Sequence, residues 1–537
     1  MQWAPAPQQR EQMVLFAKRL EDAIAPDHTV RMLDSILSSP QIRWSEWEAA
    51  YHGRLGQPPI HPSVLAKVLL YGLMTRLRAS RALEEALQVR IDFQWLAQGR
   101  SIDHTTLSEF RRKHKTALRS LFVQVGLVAK ELGMLQLERM AFDATRVRAN
   151  NRRSGTRTPD ELRQMQAELQ ARFDELTAQA ETEDTRDNEQ FALGSPHPLP
   201  AELADVQRRK EHIDQALGEL DRLEQSGQTL PKRLPITDVE SRLMPNKEGG
   251  FAPNFTPTAT VDVASGLIVE ATVLNVHNED QHLFPAIDQV RRDFGLPSLP
   301  AEVLVDGLIG TGANLAEAEE RGVTIYSPCK IPDPAQNPAL RSDPMQPVAE
   351  ADWDRLPTKP ATVTTGGQKE KTTQLDKSAF VYDESNDCYW CPQGKPLTYR
   401  VTTHEPSGTG QRIRRRYQAE AETCASCPLR TRCLQGKAVA RQINREQHEA
   451  PRERHAAKMA TAAAQETYAL RRHVGERPFA VIKHQFGVRQ FLLRGLEKVQ
   501  NEWHWATTAF NLKQIISWLS RAGPGGDPIV STLTACE

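Results

Sequence analysis

Residues 256–276 read TPTATVDVASGLIVEATVLNV, two runs of β-branched and apolar residues on either side of Ala264-Ser265-Gly266. β-Branched residues favour strands, and a Ser-Gly pair between two such runs marks a turn, so this stretch predicts a β-hairpin. VHNEDQHLFPAIDQVRRDFG (276–295) follows with helical periodicity, and AEVLVDGLIGTGANLAEAEERGV (301–323) predicts a strand, a glycine-rich turn and a helix.

Upstream of the hairpin, LERMAFDATRVRANN (137–151) is an apolar stretch that ends at Asp143, which is typical of the tip of a buried strand with a solvated carboxylate. The acidic, Gln-rich residues from about 158 to 230 are interrupted by GSPHPLP and predict two exposed helices packed as a hairpin. The order of strand, helical insertion, hairpin, helix, strand and helix predicts an α/β fold.

At 537 residues the chain is too long for one ordinary core, and we expect two to four units. The N-terminal part is predicted to be helical because apolar residues recur there at spacings of three and four, and it would serve DNA binding or dimerisation. The expected divisions are a helical domain at 1–130, the first part of an α/β core at 131–330 with a helical insertion at about 155–235, a linker and cysteine-rich basic insertion at 331–445, helices at 446–521 that complete the core, and a disordered tail at 522–537.

Composition argues against a membrane protein. Hydrophobic residues make up 39% and charged residues 25% of the chain, and no apolar run approaches the roughly 20 residues of a membrane span. The first residues, MQWAPAPQQREQM, lack the apolar core of a signal peptide. We therefore expect a cytoplasmic protein that does not bind membranes.

The formal net charge is zero, but the charge is unevenly distributed along the chain. Residues 155–250 carry 20 Asp and Glu against 12 Lys and Arg, whereas residues 412–521 carry 9 against 21. A basic segment of this size can neutralise phosphates, which indicates a nucleic-acid partner; a solvated basic face is the alternative.

Two aspartates, Asp143 and Asp306, are each expected at the end of a strand, and Glu476 lies far downstream in a basic stretch. Ligands of open sheets gather outside the carboxyl ends of strands, so both aspartates could reach one site. Three converging carboxylates repel one another unless divalent cations are present, and Mg²⁺ suits carboxylates, water and phosphate. This pattern favours phosphodiester chemistry, with ordinary strand-end aspartates as the alternative.

The surroundings of Glu476 allow two geometries. On one continuous helix, Arg472, Glu476 and Lys483 would share a face, so that the carboxylate holds metal and the cations hold phosphate. Pro478 removes a helical N–H donor, however, and a helix could instead begin near it, with Glu476 in the first turn and the arginines on a separate segment.

Four stretches together resemble the DDE transposases of bacterial insertion sequences, in the group with a ribonuclease H-like catalytic domain and a Tyr-Arg-Glu-Lys signature. FDATRVRAN (142–150), VLVDGLIGTGANLAEAEERGVTIYSP (303–328) and YALRRHVGERPFAVIKHQFGVRQFLLRGLEKV (468–499) resemble the motifs around the three acids. RASRALEEALQVRIDFQWLAQGRSIDHTTLSEFRRKH (78–114) is similar to the helical N-terminal domain of that group. The resemblance covers nearly the whole chain.

The resemblance implies that Asp143, Asp306 and Glu476 hold two Mg²⁺ (or Mn²⁺) ions, and Glu502 is a rival for the third acid. It implies that water and then a freed 3′ hydroxyl attack double-stranded DNA, and that a homodimer joins two element ends, acting at the nucleoid. The signature residues that would contact DNA are Tyr468, Lys483 and either Arg471, which keeps the expected spacing from Tyr468, or Arg472, which keeps it from Glu476.

A loop before the second acid holds further polar side chains, Asn275, His277, Asn278 and Asp280, which could assist the site or cap the following helix.

Five of the seven cysteines fall between residues 388 and 433, as a C-x2-C pair followed by C-x2-C-x5-C. Two such pairs suit a structural Zn²⁺ site in a cytoplasmic chain. The resemblance matches Cys391, Cys424, Cys427 and Cys433 to the cysteine-containing insertion of the transposase group, with Cys388 as a substitute. The basic residues around them, including RIRRRY (412–417), are expected to grip the phosphate backbone. Small buried thiols without metal are the alternative.

Two other functions fit the same residues. A metal-dependent nuclease would use the same acids without strand transfer, and it would cut but never join DNA. A domesticated DNA-binding protein would lack catalysis, and in it Asp143→Asn would change no activity.

Overall fold

A computed structural model describes residues 19–52, 58–151, 155–190, 201–228, 230–246, 249–329, 336–365, 368–407 and 410–522, without the side chains of 180–190, 201, 363–365, 368–370, 406–407, 410–411 and 522. The GSPHPLP break and the tail from residue 523 lie outside these ranges. The chain divides into two compact units, Met1–Pro300 with Arg471–Glu537, and Ala301–Leu470.

The first unit begins with helices, as the apolar spacing predicts. Their bounds are α1 Thr29–Ser38, α2 Ser45–Glu48, α3 Pro62–Met74, α4 Ser80–Val89, α5 Ile91–Leu96, α6 His104–Arg112 and α7 Lys115–Glu131. The C-terminal helix α17 (Leu496–Ala522) packs against α3 and α7 and buries Trp503 and Phe510 completely. Each such side chain contributes about 1.5–3 kcal/mol on burial, so the two ends of the sequence share one core.

A sheet built around one long strand forms the rest of this core. Strand β6 (Phe251–Asp262) pairs antiparallel with β1 (Arg139–Ala144) and β7 (Ile268–Leu274), and its first residues pair with β2 (Val147–Arg148) and β5 (Arg242–Pro245). Asp143 of β1 lies opposite Ala259. Two further short strands, β3 (Thr156–Arg157) and β4 (Leu234–Pro235), pair with each other.

The predicted hairpin is confirmed as β6 and β7, and its turn has a clear cause. Asp262 Oδ2 accepts hydrogen bonds from the Ser265 N–H and hydroxyl at 2.9 and 2.7 Å. Gly266 has φ +71°, a conformation that L side chains rarely adopt. The carboxylate and the glycine together reverse the chain where the sequence indicates a turn.

The two helices expected between 158 and 230 are present as α8 (Pro159–Gln190) and α9 (Ala201–Gln225). They pack against each other and have a small core of their own that includes Leu162, Ile213 and Leu220. Helix α10 (Leu283–Asp293) then follows β7 and packs on it.

The second unit starts with the predicted strand, turn and helix. Strand β8 (Glu302–Leu304) runs parallel to β9 (Thr324–Tyr326), and α11 (Gly312–Glu320) connects them. Thr311 caps α11 by accepting a hydrogen bond from Asn314 N–H at 3.2 Å. The observed architecture is therefore mixed α/β, with a helical N-terminal region and both antiparallel and parallel strand pairs.

The remainder of the second unit contains more strands than the sequence indicates. The linker expected at the start of residues 331–445 contains the hairpin β10 (Thr358–Thr365) and β11 (Gln368–Leu375). This expectation was wrong because those strands are rich in Thr and Lys and lack alternating apolar residues. A second sheet has the order β12 (Val381–Asp383), β13 (Cys388–Trp390), β14 (Pro396–Ser407), β15 (Gly410–Ala419) and β16 (Gln442–Glu446).

Short helices α12 (Ala421–Ala425) and α13 (Arg430–Cys433) precede β16, and α14 (Glu449–Met459) follows it. Helix α15 (Ala462–Val474) comes next, then α16 (Glu476–Ala480) and a π-helical turn, Val481–Gln485. No helix in the described ranges combines the length and the apolar character needed to cross a membrane.

Candidate functional site

Asp143 stands at the end of β1 because the three residues before it, Met140 to Phe142, are fully buried apolar side chains. Contrary to the expected solvated carboxylate, Asp143 is only 9% exposed. Its Oδ1 accepts a hydrogen bond from Ala144 N–H at 2.8 Å and lies 3.0 Å from Arg471 Nη2. The adjacent guanidinium allows the charge to be buried, which strand-end position alone does not predict.

Besides Arg471, the chain also approaches Asp143 at Gly475, between α15 and α16. A Cβ added at Gly475 would lie 3.6 Å from Asp143 Oδ2 and 3.2 Å from Arg471 O, so a larger residue would crowd the helix end. Glu476, the next residue, opens α16 and is exposed. The structure lies between the two geometries that the sequence allowed. Helix α15 ends at Val474 and α16 begins at Glu476, but Gly475 between them keeps helical dihedrals (φ −71°, ψ −43°) and its N–H donates to the Arg471 carbonyl at 2.8 Å.

Lys483 binds the chain just beyond Asp143. Its Nζ donates to Thr145 Oγ1 at 2.5 Å and to the Arg146 carbonyl at 2.7 Å. Lys483 lies in the π-helical turn, a type of distortion that is frequent at functional sites. The two segments therefore meet twice, through Arg471 at Asp143 and through Lys483 at residues 145 and 146.

Arg146, whose carbonyl accepts from Lys483, connects these contacts to the loop after β7. Its guanidinium donates to Thr256 Oγ1 at 2.5 Å and to the His277 carbonyl, and lies 3.7 Å from Glu279 Oε2. Glu279 is buried, while Asn278 and His277 are exposed. Partial desolvation of the imidazole, with the nearby Arg146 charge, lowers the pKa of His277 although the residue as a whole is exposed. Sequence reasoning missed Arg146 and Glu279, although the basic motif after Asp143 was visible.

Asp306 lies two residues beyond β8, in the second unit. Its Oδ1 accepts hydrogen bonds from the Leu308 and Ile309 N–H groups at 2.8 and 3.0 Å, which shapes the turn before α11. Leu308, in this turn, is 72% exposed. On α15, Tyr468 is half-buried and Arg472 is exposed, whereas the Arg471 side chain is 13% exposed.

Glu502, the rival third acid, has a different role. It is 5% exposed, pairs with Arg78 at 2.7 Å and accepts the N–H groups of Leu492 and Leu493. Its oxygens are therefore occupied in holding the chain together.

The cysteines of the predicted zinc site separate into two environments. Cys391, Cys424, Cys427 and Cys433 line one cavity of about 290 Å³, whereas Cys388 does not line it. All five thiols are free. Burial raises the pKa of Cys391 and Cys427, and raises that of Cys433 to about 12, which favours neutral thiols.

Neither the carboxylates nor the thiols form a finished metal site. Within the described part of the chain, no group of three or more His, Cys, Asp or Glu side chains is placed so that it could hold a metal ion.

Several arginines that were expected to bind the DNA phosphate backbone are paired with carboxylates of the protein. Arg412 and Arg414 bind Glu446 at 2.8 and 3.0 Å, and Arg415 binds Asp387 at 2.6 Å. Arg415 also lies 4.9 Å from the centre of the Tyr399 ring, which is 42% exposed. Positive charge on this sheet is therefore partly neutralised within the protein.

Comparison with known families gives two matches. The family model described as Transposase DDE domain matches residues 390–516, and the one described as Transposase domain (DUF772) matches residues 18–113. The first range contains Glu476 and Lys483, and the second contains α1 to α6; Asp143 and Asp306 lie outside both. No curated protein matches the chain.

Proposed function

Since the matches to the transposase DDE domain and the DUF772 transposase domain support a DDE transposase of an insertion sequence, we propose that this chain cuts DNA at the ends of its element and joins the freed ends to target DNA. The carrying observation is the double contact between the Asp143 strand and the 471–483 segment, through Arg471 and Lys483. It supports a shared site for the first and third acids, because Glu476 follows Gly475, the residue next to the Asp143 carboxylate.

In this proposal Asp143, Asp306 and Glu476 hold Mg²⁺ or Mn²⁺. Their donor chemistry fits, since carboxylate oxygens suit these hard cations. Bound metal would activate the attacking oxygen and stabilise the leaving oxygen.

The chain's own cations would hold the DNA. Arg471 is paired with Asp143 and would place its guanidinium beside a phosphate held at that carboxylate. Lys483 fixes the 145–146 backbone and adds a second charge, while the exposed Arg472 and the half-buried Tyr468 would contact DNA farther out. Water and then a freed 3′ hydroxyl are the successive nucleophiles.

The proposal includes a ribonuclease H-like core formed by residues 131–330 and 446–521. It is supported by the succession of antiparallel β1, β6 and β7, helix α10, and parallel β8 and β9 around α11. The α8–α9 pair would be an insertion between strands, and 331–445 a second one. A homodimer on DNA, acting at the nucleoid, would bring two element ends together.

We also propose that Cys391, Cys424, Cys427 and Cys433 hold a structural Zn²⁺. Thiolates are preferred zinc ligands, and these four thiols share one cavity, which supports the proposal. Cys388, on β13, is the poorer candidate because it does not line that cavity.

The test uses purified protein, Mg²⁺ and a plasmid that carries the gene with its flanking element ends. We expect cut ends with 3′ hydroxyls and their joining to a second plasmid. Asp143→Asn should abolish both steps and keep DNA binding, whereas Asp160→Asn, at a carboxylate 95% exposed, should change neither. Cutting without joining would indicate a nuclease, and equal behaviour of wild type and Asp143→Asn would indicate a non-catalytic DNA-binding protein.

A further inference from the structure

A buried ion pair joins the N-terminal helices to the segment that follows Lys483. Arg78, between α3 and α4, places Nη2 2.7 Å from Glu502 Oε1 on α17, and the two side chains are 14% and 6% exposed. Removing one member of such a pair is costly, because the other charge stays buried.

The pair also binds the backbone of residues 487–493. Arg78 donates to the Gly487 and Gln490 carbonyls, the latter at 2.8 Å. Glu502 accepts both N–H groups of residues 492–493, at 2.8 and 3.0 Å. Four backbone groups of an irregular segment, which would otherwise need partners, are thereby satisfied.

The other side of this segment lies along β2. Phe491 N–H donates to the Arg148 carbonyl at 2.9 Å, and Arg148 N–H donates to the Arg489 carbonyl at 3.2 Å. The Gln490 side chain adds a bond to the Ala149 carbonyl at 3.1 Å. Residues 489–491 thus extend the sheet by a short parallel bridge.

These contacts fix Lys483 from both directions. Lys483 precedes the 487–493 segment and binds residues 145 and 146, which directly precede β2. The chain from the π-helical turn to residue 491 is therefore attached twice to residues 145–148, once through Lys483 and once through residues 489–491. If the second attachment loosens, the turn can move away from the Asp143 strand.

We propose that Arg78, acting with Glu502, is a positioning residue that holds Lys483 against the Asp143 strand and so couples the N-terminal helical region to DNA cleavage. The cleavage part rests on the proposed function; the anchoring part does not.

Because Arg111 is also close to Glu502, the backbone contacts of Arg78 can be tested separately from its charge. Arg111 lies beside Glu502 and Arg78, so a second guanidinium remains near Glu502 when Arg78 is removed. Within the described residues, Arg111 donates no hydrogen bond to the Gly487 or Gln490 carbonyl. Loss of Arg78 should therefore free the backbone of residues 487–493, while the Glu502 carboxylate keeps a positive charge beside it.

The first experiment measures backbone hydrogen exchange in peptides that cover residues 481–493. Arg78→Ala should speed exchange there at least tenfold. Arg78→Lys should speed it by less, because the ammonium group keeps a charge near Glu502, but it should not match wild type, because it cannot reach all three acceptors as the guanidinium fork does. Lys67→Ala is the control: Lys67 pairs with Asp34 at 2.6 Å, is 10% exposed and also donates to Ser38 Oγ, and both partners lie on α1. Unchanged exchange at 481–493 in Arg78→Ala would overturn the proposal, and Glu502→Gln provides a second variant should that protein not fold.

The second experiment compares DNA cleavage per folded molecule. Arg78→Ala should cut at least tenfold more slowly, Arg78→Lys should recover part of the rate, and Lys67→Ala should stay within twofold of wild type. The Arg78→Ala/Lys483→Gln double variant should cut no more slowly than Lys483→Gln alone, because both changes act through one side chain. Multiplicative losses would overturn the positioning role. Wild-type protein that cuts no DNA would refute the proposed function, while the exchange measurement would still decide the anchoring.

Discussion

Arg471 Nη2 lies 3.0 Å from Asp143 Oδ1, and the two side chains are only 13% and 12% exposed. This ion pair connects the last turn of α15 to the end of β1, which are more than three hundred residues apart in the chain. It also distinguishes the two neighbouring arginines of the signature region: Arg471 is buried against Asp143, whereas Arg472 is exposed.

Arg471→Ala should lower the free energy of unfolding by about 3 kcal/mol, because it leaves the Asp143 carboxylate buried without its partner. Arg472→Ala, at an exposed position, should change it by less than about 0.5 kcal/mol. Denaturant unfolding followed by tryptophan fluorescence compares the two variants. Equal losses would show that the ion pair does not stabilise the fold.

Lys483→Gln should weaken binding to element-end DNA and reduce the slope of log affinity against log salt by about 1, as expected when one phosphate contact is lost. Binding titrations at several salt concentrations measure this slope. Lys113→Gln is the control, since Lys113 is an exposed lysine paired with Glu109 within one helix. An unchanged slope would mean that Lys483 only holds the 145–146 backbone.

Purified protein should contain one Zn²⁺ per chain by elemental analysis, and Cys424→Ser with Cys427→Ser should remove it and lower the melting temperature. Cys388→Ser, outside the cavity, should keep the metal. Zinc affinity should fall as pH falls, because burial raises the pKa of Cys433 to about 12 and protons compete with metal for the thiolates. Full stability of metal-free protein would argue against a structural zinc site.

Asp238→Asn should stabilise the protein at neutral pH. Asp238 is 2% exposed, its Oδ1 accepts the Gly495 N–H at 3.1 Å, and its Oδ2 has no hydrogen-bond partner within the described ranges. Burial raises its pKa to about 6 from 3.8. Between these values the folded state keeps a proton that the unfolded chain has lost, so this carboxyl makes stability fall as pH rises from 4 to 6.

The asparagine variant should therefore gain about 2 kcal/mol at pH 7.5 and almost nothing at pH 4, measured by denaturant unfolding at both values. His504 acts in the opposite direction, because burial lowers its pKa to about 4, but it is present in both proteins and cancels in the difference. Asp160→Asn, at a solvent-exposed carboxylate, should show no pH-dependent gain. A loss of stability at pH 7.5 would show that the ionised Asp238 carboxylate is needed at the start of α17.

Local sequence signals predicted much of the architecture. The β6–β7 hairpin followed from β-branched runs around Ser265-Gly266, and α11 from periodicity after a glycine-rich turn. The β10–β11 hairpin was missed because its strands are polar, so their backbone pairing leaves no apolar alternation to recognise.

The sequence by itself supplied the candidates for the chemistry, because three of its motifs resemble those around the acids of DDE transposases and so point to Asp143, Asp306 and Glu476. Only the tertiary structure decided their surroundings: that Asp143 is buried, that Arg471 pairs with it, and that Glu502 anchors a loop. Neighbouring helical residues point about 100° apart, so which arginine faces a strand depends on how the helix packs. A carboxylate's role likewise depends on the donors that folding brings to it from distant parts of the chain.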